Sequence, residues 1–299
     1  IITCFGGAFM KKFSELKAPT LSFEIFPPKG TGKLDSIFST VDALVSLDPD
    51  LISVTYGAGG TSRENTVEIA SKIQNLHSLP ATAHLTCVGS TKEDMKCILT
   101  NLRDKGIRNI LALRGDLADD GTLTDFYYAS DLIKFIKSEF DFTIFAACYP
   151  EKHIEAPSME EDLLNLKRKV DCGVDALISQ LFFDNNFFYD FRDNARKIGI
   201  KIPIIAGIMP ITSASQINRM ANLCGASIPT KVQRIIAAYS HNGMAMREAG
   251  LAYATNQIVD LLANGVDGIH LYTMNQPTLA KTISESIRGI LYSLRGKRE

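Results

Sequence analysis

Leu21-Ser22-Phe23-Glu24-Ile25-Phe26-Pro27-Pro28 is the first of a series of short apolar runs, and it sets the pattern for the chain. The run alternates and is rich in aromatic and branched residues, which predicts a strand over 21–26. Two prolines cannot donate to a continuing ladder, so the strand stops there. Glu24 therefore falls near the C-terminal end of a strand, in surroundings that an acid enters only when paired or functional. Apolar burial raises a carboxyl pKa, the direction that a general acid near neutral pH requires. The competing expectation is a rim glutamate tied to a lysine such as Lys29.

Outward from that strand, similar runs at 51–55, 82–87, 109–113, 143–148, 175–182, 203–207 and 268–272 alternate with helix-period segments. The clearest helical segments are 33–47, 64–76, 91–105, 159–170 and 277–294. Near-continuous apolar strands separated by helices predict a parallel sheet. Eight such units without a Ser/Pro-rich linker predict one closed (β/α)8 TIM barrel, an α/β fold of usually about 250 residues. The remaining length goes to an N-terminal arm over 1–20 and to the stretch 213–263, long enough for two or three extra helices. The barrel domain then spans 21–299. A doubly wound open sheet is the alternative, but the first strand–turn–helix lacks G-x-G-x-x-G.

Bulk properties narrow the function. The 299 residues are 45% hydrophobic and 22% charged with a formal net charge of -1, as in an ordinary globular protein. Dispersed basic residues argue against nucleic acid or an anionic membrane as partner. Six cysteines show no C-x-x-C and no clustering, which favours reduced thiols in a cytoplasmic protein over disulfides or a metal site. Ile1–Met10 is too short to span a bilayer and has its lysines on the wrong side for a secretory signal. Met10 is a candidate natural start, so residues 1–9 are left out of the fold argument.

In a barrel of this kind chemistry sits where strands end. Those positions carry Glu24, Thr55-Tyr56, His84 and Thr86, Arg114-Gly115-Asp116, Tyr149, Gln180, Gly207 and Tyr272. A ring of hydrogen-bonding or titratable groups after apolar runs marks a site. Gly57-Ala58-Gly59-Gly60 brings backbone amides close to a ligand or forms a flexible turn. Arg114 and Asp116 flank a glycine, as a local ion pair also would. His84 has no second histidine at ligand spacing, so no metal site is expected. Over 159–170, Asp162, Asn165, Arg168 and Lys169 share one polar stripe opposite Leu163, Leu166 and Val170. By pattern alone that stripe is a solvated helix face; an arginine there also suits an anionic ligand tail.

With these segments in view the chain resembles the flavin-dependent methylenetetrahydrofolate reductases of the bacterial type. The matching motifs include Ser22-Phe23-Glu24-Ile25-Phe26-Pro27-Pro28, Val54-Thr55-Tyr56-Gly57-Ala58, His84-Leu85-Thr86-Cys87, Leu113-Arg114-Gly115-Asp116, Tyr149-Pro150-Glu151, Gln180-Leu181-Phe182-Phe183-Asp184 and Gly207-Ile208-Met209-Pro210, in order along residues 20–290. The resemblance implies a (β/α)8 barrel holding FAD, without the regulatory domain that binds S-adenosylmethionine in longer members. It implies that Tyr56, Ala58, His84, Arg114, Gly115, Asp116, Tyr128, Ala129, Tyr149, His153, Asp162, Asn165, Arg168 and Lys169 cradle FAD, which makes the helix stripe a cofactor surface. Glu24 matches the catalytic acid, and Asp116 is expected to act on the flavin's electrostatics and on the pterin. Thr55 and Gln180 match positions that contact nicotinamide or folate, and Gln216, Met220, Tyr272 and Gln276 match substrate-side positions. Met220 stands where the family places an aromatic residue, and Gln276 where it places an arginine.

The implied reaction is reduction of 5,10-methylenetetrahydrofolate to 5-methyltetrahydrofolate by NADH or NADPH, in ping-pong turns at one FAD. Ring opening of the substrate needs a proton on the departing nitrogen, which Glu24 would supply. Gln180 would offer a donor and an acceptor to the pterin edge. Two other functions fit a pterin-binding barrel: a non-redox one-carbon transferase and a non-catalytic binding module. The partners expected are the two small substrates and further copies of the chain in a homo-oligomer.

Overall fold

Side chains that alternate between two faces account for both layers of this protein. The computed structural model describes residues 13–28, 34–56, 60–116 and 124–296. Eight parallel strands close in sequence order: β1 (Thr20–Ile25), β2 (Leu51–Val54), β3 (Ala81–Thr86), β4 (Asn109–Leu113), β5 (Thr143–Cys148), β6 (Ala176–Ser179), β7 (Ile204–Ile208) and β8 (Gly268–Tyr272). The closed barrel predicted from the sequence is the fold observed. Leu21, Phe23 and Ile25, with their counterparts on the other strands, face outward into the layer beneath the helices. Residues one step along, such as Leu51, Leu111, Phe145, Ile178 and Ile205, fill the interior. A period of two on strands covered on both faces produces this division.

Helices α1 (Leu34–Val45), α2 (Gly60–His77), α3 (Lys92–Asp104), α4 (Ala129–Glu139), α5 (Met159–Val170) and α6 (Asn185–Lys197) follow the first six strands. The stretch 213–263 forms three: α7 (Ala214–Cys224), α8 (Thr230–Tyr239) and α9 (Gly243–Ala263); α10 (Pro277–Gly296) follows β8. Local signals set these boundaries. Thr91 and Asp94 exchange side-chain and backbone hydrogen bonds at the start of α3, and Ser158 caps α5, satisfying amides that the first turn leaves unpaired.

Two expectations shift. The sixth strand ends at Ser179 although the apolar run continues to Phe183. Phe182 leaves the sheet to stack on Phe188 of α6 at 5.2 Å, so its apolarity serves helix packing rather than a ladder. At the other end, the described part of the expected arm is built into the barrel. Phe13 packs edge-on against Phe145 with ring centroids 4.9 Å apart and joins the interior cluster with Leu16.

Candidate active site

Register places Glu24 beside Ser53 of β2 on one side and Tyr272 of β8 on the other. Its side chain is 19% exposed and borders a cavity of about 350 Å³ at the C-terminal mouth, within the range of small-molecule pockets. Thr55, His84, Tyr149, Gln180, Met220 and Tyr272 line the same cavity, with Leu113, Met209 and Met274 among its apolar walls. Seven of the sequence-derived candidates therefore meet at one opening.

Among the described residues the partners of Glu24 are histidines. Lys29 lies outside the described residues, and Oε2 of Glu24 instead lies 3.5 Å from Nε2 of both His84 and His270. The expectation of a raised pKa is corrected by this pairing. Burial does push the carboxyl up, but the His270 hydrogen bond and the attraction of two imidazoles outweigh it, and the net direction is down. The free site therefore holds a carboxylate near neutral pH. Burial drives His84 the other way, to a pKa of about 4, so that ring is neutral there.

Backbone stitching fixes this arrangement. Thr273 Oγ1 donates to the Glu24 carbonyl at 2.6 Å, and Asn275 brackets Phe26, accepting from its N–H at 3.0 Å and donating to its carbonyl at 2.8 Å. Met274 and Asn275 both take left-handed φ values, 52° and 54°. A non-glycine residue held there costs of order 1 kcal/mol, and the strained turn puts Met274 on the cavity wall. Across the mouth, the Tyr272 hydroxyl donates to the Ser179 carbonyl at 2.7 Å. Gly207 makes room for that bond, because a Cβ there would lie 2.2 Å from the Ser179 carbonyl oxygen and 2.7 Å from the Tyr272 hydroxyl.

The expected cofactor residues form a band beside the cavity. Tyr149 stacks edge-on with His153 at 4.6 Å. Asp162 accepts from the His153 N–H at 3.0 Å, and Lys169 reaches the Ala147 carbonyl at 2.7 Å, at the end of β5. One edge of the helix stripe thus turns toward the barrel mouth, while Asn165 and Arg168 pair with each other at 2.9 Å on the exposed side. Arg114 makes a bidentate pair with Glu155, two contacts of 2.7 Å. Gly115 has φ 89°, and a Cβ would meet Val88 at 2.9 Å, so the turn after β4 requires glycine. Asp116 is exposed, Tyr128 precedes α4 and is exposed, and Ala129 begins that helix. Tyr56 packs against the main core. Ala58 lies outside the described residues.

Two substrate-side candidates stand apart from the cavity. Gln216 accepts from the Thr212 N–H at 3.0 Å and caps the start of α7. Gln276 accepts from Arg247 at 2.7 Å, tying α9 to α10. His270, Thr273 and Asn275 were not among the candidates. His270 sits two residues before Tyr272, and the period of two that carries Tyr272 inward was the signal that could have found it.

The chemistry of this donor set fits a flavin. The buried His84 Nε2 makes no hydrogen bond among the described residues, apolar walls suit a flat ring, and Arg114 and Lys169 suit anionic groups. Among the described residues there is no cluster of three potential metal ligands, and no helix is long and apolar enough to cross a membrane.

Comparison with known proteins agrees. The sequence model of the methylenetetrahydrofolate reductase family matches residues 10–288. The chain is 37% identical to Arabidopsis thaliana methylenetetrahydrofolate reductase (NADH) 1 over 95% of its own length and 50% of that protein's. It is 36% identical to Escherichia coli 5,10-methylenetetrahydrofolate reductase, over 89% of this chain and 90% of the relative. The chain thus spans about half of the plant relative and nine-tenths of the bacterial one. Among solved structures, a Clostridium thermocellum protein that binds two copies of 5-methyl-5,6,7,8-tetrahydrofolic acid shares the fold, with TM-score 0.64 and 14% identity over 92% of this chain and 96% of that one. By the breadth of the family match and the identity to its bacterial members, this chain belongs to the methylenetetrahydrofolate reductase family.

Proposed function

We propose that this chain reduces 5,10-methylenetetrahydrofolate to 5-methyltetrahydrofolate, taking electrons from NAD(P)H through a bound FAD, with Glu24 as proton donor. The observation that carries this is the placement of Glu24, between two histidines, at the floor of a cavity walled by Tyr149, Gln180, Met220 and Tyr272. FAD, when bound, would carry reducing equivalents between the two substrates in turn. The residues proposed to hold it are the band from Arg114 to Tyr149, His153, Asp162 and Lys169, with Tyr128–Ala129 beside it. Asp116 would place a negative charge at the rim that tempers the cofactor's electrostatics.

Glu24 is a carboxylate in the open site, so its acid role depends on closure. Cofactor and substrate, when bound at this mouth, would exclude water from Glu24 and so remove the solvation that favours the charge. The carboxyl then takes a proton and delivers it to the nitrogen that departs when the substrate's ring opens. Gln180 borders the same space; its Oε1 accepts from the Leu181 N–H at 2.8 Å, which leaves its amide hydrogens for a pterin edge. Met220 offers a soft apolar contact in place of a flat ring.

One experiment tests the whole reading. The purified protein should be yellow, NADH or NADPH added without oxygen should bleach it, and methylenetetrahydrofolate should restore the colour. Comparing the two nicotinamides at equal concentration settles the preference, and sedimentation of the same sample checks the expected homo-oligomer in a cytoplasmic protein. A colourless protein that binds folate would support the non-redox transferase instead.

A further inference from the structure

The contacts around Glu24 divide its two carboxyl oxygens. Oε2 is the nearer oxygen to both His84 and His270, at 3.5 Å each, which leaves Oε1 to the cavity. The two histidines are not equivalent. His84 lines the cavity, whereas His270 is fully buried and sits one layer deeper among serines. Its Nδ1 lies 2.7 Å from Ser22 Oγ, and its Nε2 lies 3.4 Å from Ser53 Oγ.

Ser22 decides which ring nitrogen carries the hydrogen. Its hydroxyl has a single hydrogen and two acceptors in reach, His270 Nδ1 at 2.7 Å and the Ile269 carbonyl at 3.2 Å. The shorter contact is the better hydrogen bond. With Ser22 donating to Nδ1, the ring's own hydrogen sits on Nε2 and faces Glu24. Distances of this kind in an open site tighten when ligand is bound.

Resting on the assignment of Glu24 as the acid, we propose that His270 is a positioning residue: held as the Nε2–H tautomer by Ser22, it fixes Oε2 of Glu24 and leaves Oε1 to carry the proton. When the Oε1–H bond breaks, an N–H bond forms on the substrate, and the remaining carboxylate keeps the Nε2–H hydrogen bond. The carboxylate takes up its next proton from solvent as the following substrate closes the site and removes the solvation that favours the charge. The downward direction of the Glu24 pKa, with the His270 hydrogen bond as its largest lowering cause, agrees with this tautomer. The other groups facing Glu24 do not supply the same control. His84 on β3 is neutral above about 4, Tyr272 on β8 has its hydroxyl on Ser179 and a pKa raised by burial, and β2 offers only Ser53 and Thr55.

Three variants of the holoenzyme test this, read by the pH profile of each half-reaction and by carbon-13 titration of the Glu24 carboxyl. His270→Leu should raise the Glu24 midpoint by about one unit. It should slow folate reoxidation roughly tenfold while NADH reduction keeps its rate. His270→Gln, which restores an amide N–H, should recover most of both losses. Ser22→Ala should shift the midpoint in the same direction by less, and it carries the test if His270→Leu fails to fold. Equal loss of both half-reactions with an unmoved midpoint, or no difference between Leu and Gln, would overturn the role of His270. Normal reoxidation of Glu24→Gln would instead remove Glu24 as the acid, a separate result.

Discussion

The two halves of the barrel interior are built from different chemistry. On β8, β1, β2 and β3 the inward positions carry, beside Leu51, His270, Ser22, Glu24, Ser53, Thr82 and His84; on β4 to β7 they carry chiefly Leu111, Phe145, Ala176, Ile178 and Ile205. Both halves are buried to a similar degree, so solvent access does not explain the contrast. The apolar half contributes to stability through packing, while the polar half holds groups whose protonation depends on one another. Such groups are costly to bury unless paired, and the bonds from Ser22, Thr273 and Asn275 are what hold them.

This contrast can be broken by substitution. Phe145→Ala in the apolar half should cost about 3–5 kcal/mol of stability, seen in urea titration. The pH limbs of both half-reactions should stay where they are. If those limbs moved, the halves would not be independent.

In the polar half the larger stability effect should depend on pH. Folding lowers the His84 pKa from 6.5 to about 4, so the unfolded chain binds the extra proton in that window. Stability is therefore lost as pH falls from about 6.5 to about 4, by on the order of 3 kcal/mol from this group. Glu24, also lowered, adds to the loss in the same direction. His84→Gln should flatten the dependence of urea midpoint on pH, and an unchanged slope would contradict the assignment.

The seam between the halves is Gly207. Gly207→Ala puts a Cβ against Ser179 and Tyr272 and should cost about 1–3 kcal/mol through a forced backbone shift. Reoxidation by folate should weaken as Tyr272 loses its seat. The smallest effect lies outside the barrel: Glu155→Gln breaks an exposed pair with Arg114 and should change stability by less than about 1 kcal/mol. The freed Arg114 should bind FAD roughly two- to fivefold more tightly, measured by fluorescence titration.

Much of this was readable in the chain itself. The apolar strands mark the eight-fold alternation because each is buried on both faces, and their C-terminal residues mark the mouth. Glu24, His84, Tyr149, Gln180 and Tyr272 could be collected from strand ends alone, since they follow directly from the barrel's polarity. His270, two residues before the end of β8 as His84 is before the end of β3, shares the inward period of Tyr272, but only closure of β8 against β1 brings it beneath Glu24. The sequence alone could not distinguish substrate contacts from caps. Gln216 and Gln276 have the residue type for either role, and each is engaged at a helix start in this structure, Gln216 by Thr212 and Gln276 by Arg247. The direction of the Glu24 pKa is not legible for the same reason: burial is visible in the sequence, but the imidazoles opposing it come from strands distant in sequence.

The central claim is that the polar half delivers a proton to folate through Glu24. Stopped-flow measurement of the two half-reactions in Glu24→Gln tests it most directly. NADH should reduce the bound flavin at the unmodified rate, and reoxidation by methylenetetrahydrofolate should fall by a factor of about 10² or more. Reoxidation at the unmodified rate would contradict the account.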